Sequence, residues 1–316
     1  MSLFSYNHHT TNDQASQEEN EINELLNADL FENFVERRKE RERYEHQVLP
    51  WLTSGQATSW HDCSSVIWVK DNGTVSALNS CKNRVCTICN WRNARKKFSI
   101  MKQIFEIVDE QVHMEYMLLT CTIKNVKAEN LSGTISDMMH AVNRMQSSRQ
   151  WKKRVKAYVR NMEITYNKKR NDFHPHIHYI IGVPTDYFNN PDLYWKTYHW
   201  RKLWETAMRI DYNSQFDIEP IKRGPDLEHS LCEISKYAVK MTSAVKEKSP
   251  EIVHQLMIAM KRRRLIAYGG IFKDAFKAIR ADRKNGADND GRPEGTPYIY
   301  SEFDKKYVKH TALIHT

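Results

Sequence analysis

No stretch of the sequence approaches the roughly 20 consecutive apolar residues that a membrane-spanning helix requires. Apolar residues make up 40% of the chain, enough for a core but not for a membrane protein. The N-terminal MSLFSYNHHTTNDQASQEENE is polar and acidic and lacks the charged-then-apolar pattern of a secretory signal. A cytoplasmic protein with no membrane partner is the expectation that follows. Cysteine is sparse, at 6 of 316 residues, and unevenly placed. Cys121 and Cys232 are isolated, whereas Cys63, Cys81, Cys86 and Cys89 fall within a short segment. In a reducing compartment such a cluster reads as metal binding before disulfide.

Cys81, Cys86 and Cys89 form a C-x4-C-x2-C run, with Cys63 upstream. Four thiolates around a tetrahedral zinc fit this spacing, and a closed four-ligand site is structural. His61 is an alternative to Cys63 as the fourth ligand. The net charge of +9 and pI of about 9.1 favour a polyanionic partner. Two basic stretches are candidates for nucleic-acid contact. One is the helix opening WRNARKK after the cysteines, with Arg92, Arg95, Lys96 and Lys97. The other is KRRRLIAYGG, with Arg262, Arg263 and Arg264, a phosphate-binding patch in this reading. A third, RRKERER from Arg37 to Arg43, reads as a solvated helix face without function.

The most informative stretch is AYVRNMEITYNKKRNDFHPHIHYIIGV, Ala157 to Val183. Two alternating runs flank a polar loop, Asn167 to Asp172, which predicts an antiparallel hairpin. Side chains repeat every two residues along a strand. His174, His176 and His178 therefore share one face, and Glu163 lies on the same side of the neighbouring strand. Imidazole nitrogens and a carboxylate converging on an open face suit a divalent ion with vacant positions for substrate. His174 is a possible fourth ligand or an outer group. Strands are also expected at Glu115–Asn125 and Gln215–Ile221, and helices at Leu131–Arg149, Leu193–Ile210 and Leu227–Ser243. The order predicts an α+β fold, an antiparallel sheet covered by helices on one face, with a zinc-binding segment and helical flanks. In the last helix Glu233, Tyr237 and Lys240 share a face at i, i+4, i+7.

With these residues in view, the chain resembles plasmid rolling-circle replication initiators of Gram-positive bacteria. These belong to the HUH endonuclease superfamily, and the resemblance is to the class using one tyrosine and one glutamate. LLTCTIKN (Leu118–Asn125) stands where that family has its Thr-rich strand, departing from it at Cys121. HPHIHYII (His174–Ile181) stands at its metal motif, and EISKY (Glu233–Tyr237) with Lys240 at its catalytic motif. The match covers roughly residues 60 to 275. It implies metal-dependent (Mn²⁺ or Mg²⁺) nicking of single-stranded DNA at an origin, with Tyr237 as nucleophile and Glu233 and Lys240 assisting. Origin DNA in both duplex and single-stranded form, a host helicase and the replication machinery are the implied partners.

Four regions are expected: an arm at 1–48, its first 20 or so residues disordered; the Cys segment and basic helix at 49–108; the endonuclease domain at 109–246; and a basic helical region with a loose tail at 247–316. Two competing readings are a non-catalytic zinc-containing DNA-binding regulator, and a relaxase or single-strand transposase of the same superfamily. The lack of any helicase segment in so short a chain counts against a large relaxase.

Overall fold

A computed structural model describes residues 31–167, 169–235, 250–285 and 293–310. The helices are α1 (Phe31–Val48), α2 (Ser54–Asp62), α3 (Thr87–Gln111), α4 (Ala128–Ser147), α5 (Arg149–Arg154), α6 (Thr197–Met208), α7 (Pro225–Ser235), α8 (Pro250–Met260) and α9 (Ile271–Asn285). The strands are β1 (Val66–Val69), β2 (Val75–Leu78), β3 (Glu115–Thr122), β4 (Ala157–Asn167), β5 (Asp172–Val183), β6 (Phe216–Ile221), β7 (Ile266–Gly270), β8 (Thr296–Ser301) and β9 (Lys306–Lys309). No helix among the described residues is long and apolar enough to cross a membrane.

The hairpin β4–β5 is the centre of a five-stranded antiparallel sheet ordered β6-β3-β5-β4-β7. Its turn forms where expected. The Asn167 side chain accepts from the Arg170 N–H, and Asn171 takes a positive φ of 51°, which asparagine tolerates better than most residues. One face carries Leu119, Cys121, Met162, Ile164, Ile177 and Tyr179, all buried beneath the neighbouring helices. The methionine-rich stripe of α4 is core, with Ile135, Met138, Val142 and Met145 buried. Trp200 and Trp204 of α6 are buried as well, and the Trp204 indole donates to the Thr122 carbonyl at 2.8 Å.

The α+β antiparallel class expected from the sequence is the observed one, with a second helical layer added. On the opposite face, Tyr116, Val159 and Ile180 pack with Phe98 and Phe105 of α3, Leu231 and Ile234 of α7, and Phe272 of α9. The reason lies within the strands. That face is apolar at one end and polar at the other, where Thr120, Asn161, Glu163, His176 and His178 replace the apolar residues. Helices pack on the apolar end, and the polar side chains gather at the other.

Five strands were not anticipated: β1 and β2 in the cysteine segment, and β7, β8 and β9. Ile266–Gly270 pairs with β4, so the second half of KRRRLIAYGG is a sheet-edge strand. Gly270 has φ +56°, and a Cβ there would lie 1.9 Å from the Lys156 carbonyl oxygen; glycine is what lets β7 turn directly into α9. The stretch expected as a loose tail instead supplies β8 and β9. They complete a four-stranded antiparallel sheet, β2-β1-β8-β9, with the cysteine segment. Gly295, at φ +105°, brings the chain against the Val69 carbonyl at a distance no Cβ would allow. Aromatic TPYIYS is a good strand sequence, but the run of Gly, Asp, Asn and Pro before it hides that signal.

The basic run of α1 also departs from a solvated face. Arg38 and Arg41 are buried. Arg38 donates to the Cys63 carbonyl at 2.9 Å and lies over the Tyr300 ring at 4.2 Å. Arg41 donates to the carbonyls of Trp60 and Cys63 at 2.6 and 2.9 Å. The two guanidiniums thereby add side-chain donors to carbonyls at the C-terminal end of α2.

Candidate functional site

Two groups of side chains among the described residues could hold a metal ion, and within each the donor atoms lie within 4.8 Å of one another. The first is Cys63, Cys81, Cys86 and Cys89. Cys63 caps the C-terminus of α2, Cys86 is the N-cap of α3, and Cys89 lies in the first turn of α3. The Sγ–Sγ separations are 3.7 Å for Cys63–Cys86 and 3.5 Å for both Cys63–Cys89 and Cys81–Cys89. These are far longer than a disulfide and close to the roughly 3.8 Å edge of a tetrahedron with 2.3 Å metal–sulfur bonds. Hydrogen bonds from Cys63 and Cys81 hold the Cys89 thiol well below its ordinary range, while burial pushes Cys86 up. The donor set thus fits a soft or borderline ion. His61, the alternative ligand, is exposed, and its carbonyl accepts from Arg38; Cys63 takes the fourth corner.

The second group is Glu163, His176 and His178. Register brings them together. Glu163 sits directly across from His176, while Asn161 and Thr120 flank His178 on either side. Glu163 Oε2 lies 3.2 Å from Nε2 of both imidazoles. Burial pushes the Glu163 carboxyl up, but the two imidazoles more than offset this and hold it well below the usual carboxylate range. Burial likewise disfavours charged His176, and Glu163 outweighs it, so the net shift is upward. The His176 Nδ1 is 3.0 Å from the His174 carbonyl oxygen. That contact places the proton on Nδ1 and turns the Nε2 lone pair toward the shared centre.

His178 Nδ1 is 3.1 Å from Thr120 Oγ1 and 3.5 Å from Glu233 Oε1. Glu233 therefore reaches the rim of the group from α7 while remaining 39% exposed. The helix is tied down beside it by Asn161, whose side-chain N–H donates to the Ile234 carbonyl at 2.9 Å. Thr120 and Asn161 went unread as site residues in the sequence. The signal that could have found them is their register beside His178, which needs the strand order. His174 stands outside the group. Its Nδ1 lies 3.0 Å from the Asn125 side-chain oxygen, and burial, with the neighbouring His176 and Arg170, lowers its proton affinity. Tyr237 and Lys240 lie outside the described residues.

The basic candidates separate. Arg92, Arg95 and Lys96 line one cleft with Cys89. Lys97 does not line it; burial and the Arg84 guanidinium push its ammonium down to about 8. Arg263 donates to Ser132 and Ser136 of α4, which gives it a packing role, while Arg262 and Arg264 are exposed beside it.

Several known proteins resemble the chain in sequence. A protein from Streptococcus pneumoniae, "Protein rep", is 31% identical over 69% of this chain and 71% of its own length. A "Protein rep" from Lactiplantibacillus plantarum is 30% identical over 79% of this chain and 83% of its own. One from Staphylococcus aureus is 28% identical over 70% of this chain and 98% of its own. No solved structure matches the chain. The pattern of the Rep_1 family, described as "Replication protein", matches residues 72–309, from the β1–β2 turn to the end of β9, and the chain belongs to that family.

Proposed function

We propose that this replication protein initiates plasmid rolling-circle replication by nicking one strand of its origin. The observation that carries the reading is the buried convergence of Glu163, His176 and His178, with Glu233 at its rim. A carboxylate and two Nε2 donors fit a divalent ion, and three donors leave coordination positions on that ion for substrate. Such an ion, when bound, would polarise a scissile phosphate. Tyr237 is the nucleophile in this reading. Its phenolate oxygen forms a bond to phosphorus, the bond from phosphorus to the 3′ oxygen breaks, and that oxygen leaves as a 3′-OH primer end. The 5′-phosphotyrosyl link conserves the phosphodiester, so the step is a reversible transfer. With an ordinary pKa near 10, a tyrosine needs help to ionise, and Lys240, three positions on in the sequence, is the group proposed to supply it.

Glu233 has two roles open to it, each with an observation behind it. Its exposure suits a general base that activates water to end replication by hydrolysis. Its 3.5 Å approach to His178 Nδ1 suits a carboxylate that orients that imidazole. The Cys63, Cys81, Cys86, Cys89 cluster is proposed to hold a structural zinc. A non-catalytic regulator would have no use for a buried carboxylate–imidazole group.

Denaturing electrophoresis with labelled single-stranded origin DNA and Mn²⁺ tests the reading. Wild-type protein should form a covalent adduct and Tyr237→Phe none; an adduct persisting in Tyr237→Phe overturns the assignment. Glu233→Ala should form the adduct at the wild-type rate and release it slowly if Glu233 is a base. It should form it slowly if Glu233 positions His178.

A further inference from the structure

The thiolate cluster has an opening of its own. A pocket of about 290 Å³ lies between the first turn of α2, the loop after β2 and the helix α8, and Cys81 forms part of its wall. Cys81 is half-buried, whereas Cys63 and Cys86 have no exposure and Cys89 has 5%. Lys82, Arg84 and Lys261 bring three cations to the same wall. Among the described residues no carboxylate lines the pocket. The Arg84 guanidinium donates to the carbonyls of Met260 and Arg263 at 2.7 and 2.6 Å. Those partners are neutral, so its charge stands.

We infer that Cys81 is a site of thiol–disulfide exchange with an anionic small-molecule disulfide, and that Cys89 resolves the mixed disulfide. The inference goes beyond the replication reading, and it rests on the proposed zinc only for its last consequence. Partial exposure in an electropositive surround marks a reactive cysteine, while full burial marks an inert one. The cations also choose the reagent, since they attract a disulfide that carries carboxylates and repel one that carries amines.

The exchange balances with no further reactant. The Cys81 thiolate attacks one sulfur of the reagent, a sulfur–sulfur bond forms, and the other half of the reagent leaves as a thiolate. Cys89 Sγ stands 3.5 Å from Cys81 Sγ. Its thiolate attacks Cys81 Sγ and expels the second half. The two cysteines lose two electrons and the reagent gains them. Cys63 Sγ is also 3.5 Å from Cys89 Sγ, but its burial keeps reagent from it. Closing the Cys81–Cys89 bond removes two of four donors, so the cluster gives up its ion. The brace between α2 and α3 thereby depends on the redox state of the small thiols around it.

The test follows the full-length protein, as purified, with three aliphatic disulfides: dianionic dithiodipropionate, neutral bis(hydroxyethyl) disulfide and dicationic cystamine. Each rate is divided by that of a small reference thiol. A chelating dye follows ion release, and peptide mass spectrometry maps the products. At low salt dithiodipropionate should react about tenfold faster than cystamine, and added salt should shrink the ratio. Lys82→Glu/Lys261→Glu, which touches no thiolate, should erase the preference, with circular dichroism confirming its fold. The first disulfide to appear should join Cys81 to Cys89, in step with loss of the ion. Equal normalised rates in wild type overturn the inference, as does a preference that survives in the variant. A first disulfide between any other pair does the same. Charge-selective formation of the Cys81–Cys89 bond in protein that holds no ion would defeat the zinc reading and leave this one standing.

Discussion

The two metal-capable clusters differ in how they are closed. The thiolate cluster draws ligands from the end of α2, the loop after β2 and the start of α3. These segments belong to three separate elements, and the cluster offers four donors. The carboxylate–imidazole cluster sits on two strands of one hairpin already locked by their ladder, and offers three donors. Four soft ligands that complete a shell suit an ion whose work is folding; three that leave the shell open suit an ion that meets substrate. Position in the fold points the same way. Removing the first ion would release chain segments, while removing the second would leave the sheet intact.

The largest effect should come from breaking the closed cluster. Cys86→Ser should drop the zinc content from about one per chain to near zero and unfold the surrounding segment. Structural zinc in small domains contributes on the order of 10 kcal/mol. Metal analysis and thermal melting would show this, and a zinc-free variant with wild-type melting would erase the distinction drawn here.

Breaking the open cluster should have the opposite profile. His176→Ala should slow adduct formation by about 100-fold or more, since the ion supplies several kcal/mol of transition-state stabilisation. Zinc content and duplex binding should stay near wild type. Loss of zinc in this variant would mean that the clusters are not independent.

A sharper test uses pH, with the open cluster kept free of divalent ions. Glu163 is depressed in the folded protein, so its contribution to stability is full above its unfolded value of about 4.3 and is lost as pH falls. His176 is raised, so its contribution is full below about 6.5 and is lost as pH climbs through the folded value. Stability should therefore decline as the pH is raised from 6 toward 9. Glu163→Gln should flatten that decline, and an identical slope in the variant would remove the pair as its cause. The smallest effect is expected from Thr120→Val, which removes the hydroxyl beside His178 Nδ1. Metal affinity at the open cluster should weaken roughly tenfold with the fold preserved, as titration calorimetry would report.

Much of this could be read from residues alone, for identifiable reasons. The His174, His176, His178 alternation and the Asn167–Asp172 turn are local signals, and the hairpin appears where they place it. The cysteine spacing is local as well, and thiolates have few other uses in such a run. What escaped the reading depends on partners distant in sequence. Arg38 and Arg41 look like a charged helix face until the carbonyls of Trp60 and Cys63 stand opposite them. Thr120 and Asn161 become site residues only when the order β3-β5-β4 sets them beside His178. Lys97 has the composition of a DNA contact, yet burial beside Arg84 takes it out of the cleft. His174 shares the face of its neighbours but stands beyond the register row at which Glu163 meets His176.

The pairing of β8 with β1 has a consequence for how the protein comes into being. Val66 must meet Ile299, and a ribosome adding 5–20 residues per second reaches that partner only on the order of ten to fifty seconds later. Throughout that interval the cysteine segment can gather its ion but cannot close its sheet, and the β1 edge stands open to any passing strand. A nascent chain can thus take up an ion at this cluster before its small sheet is sealed. Its last strands act as a latch, and closure of the small sheet reports that synthesis has run through to β9.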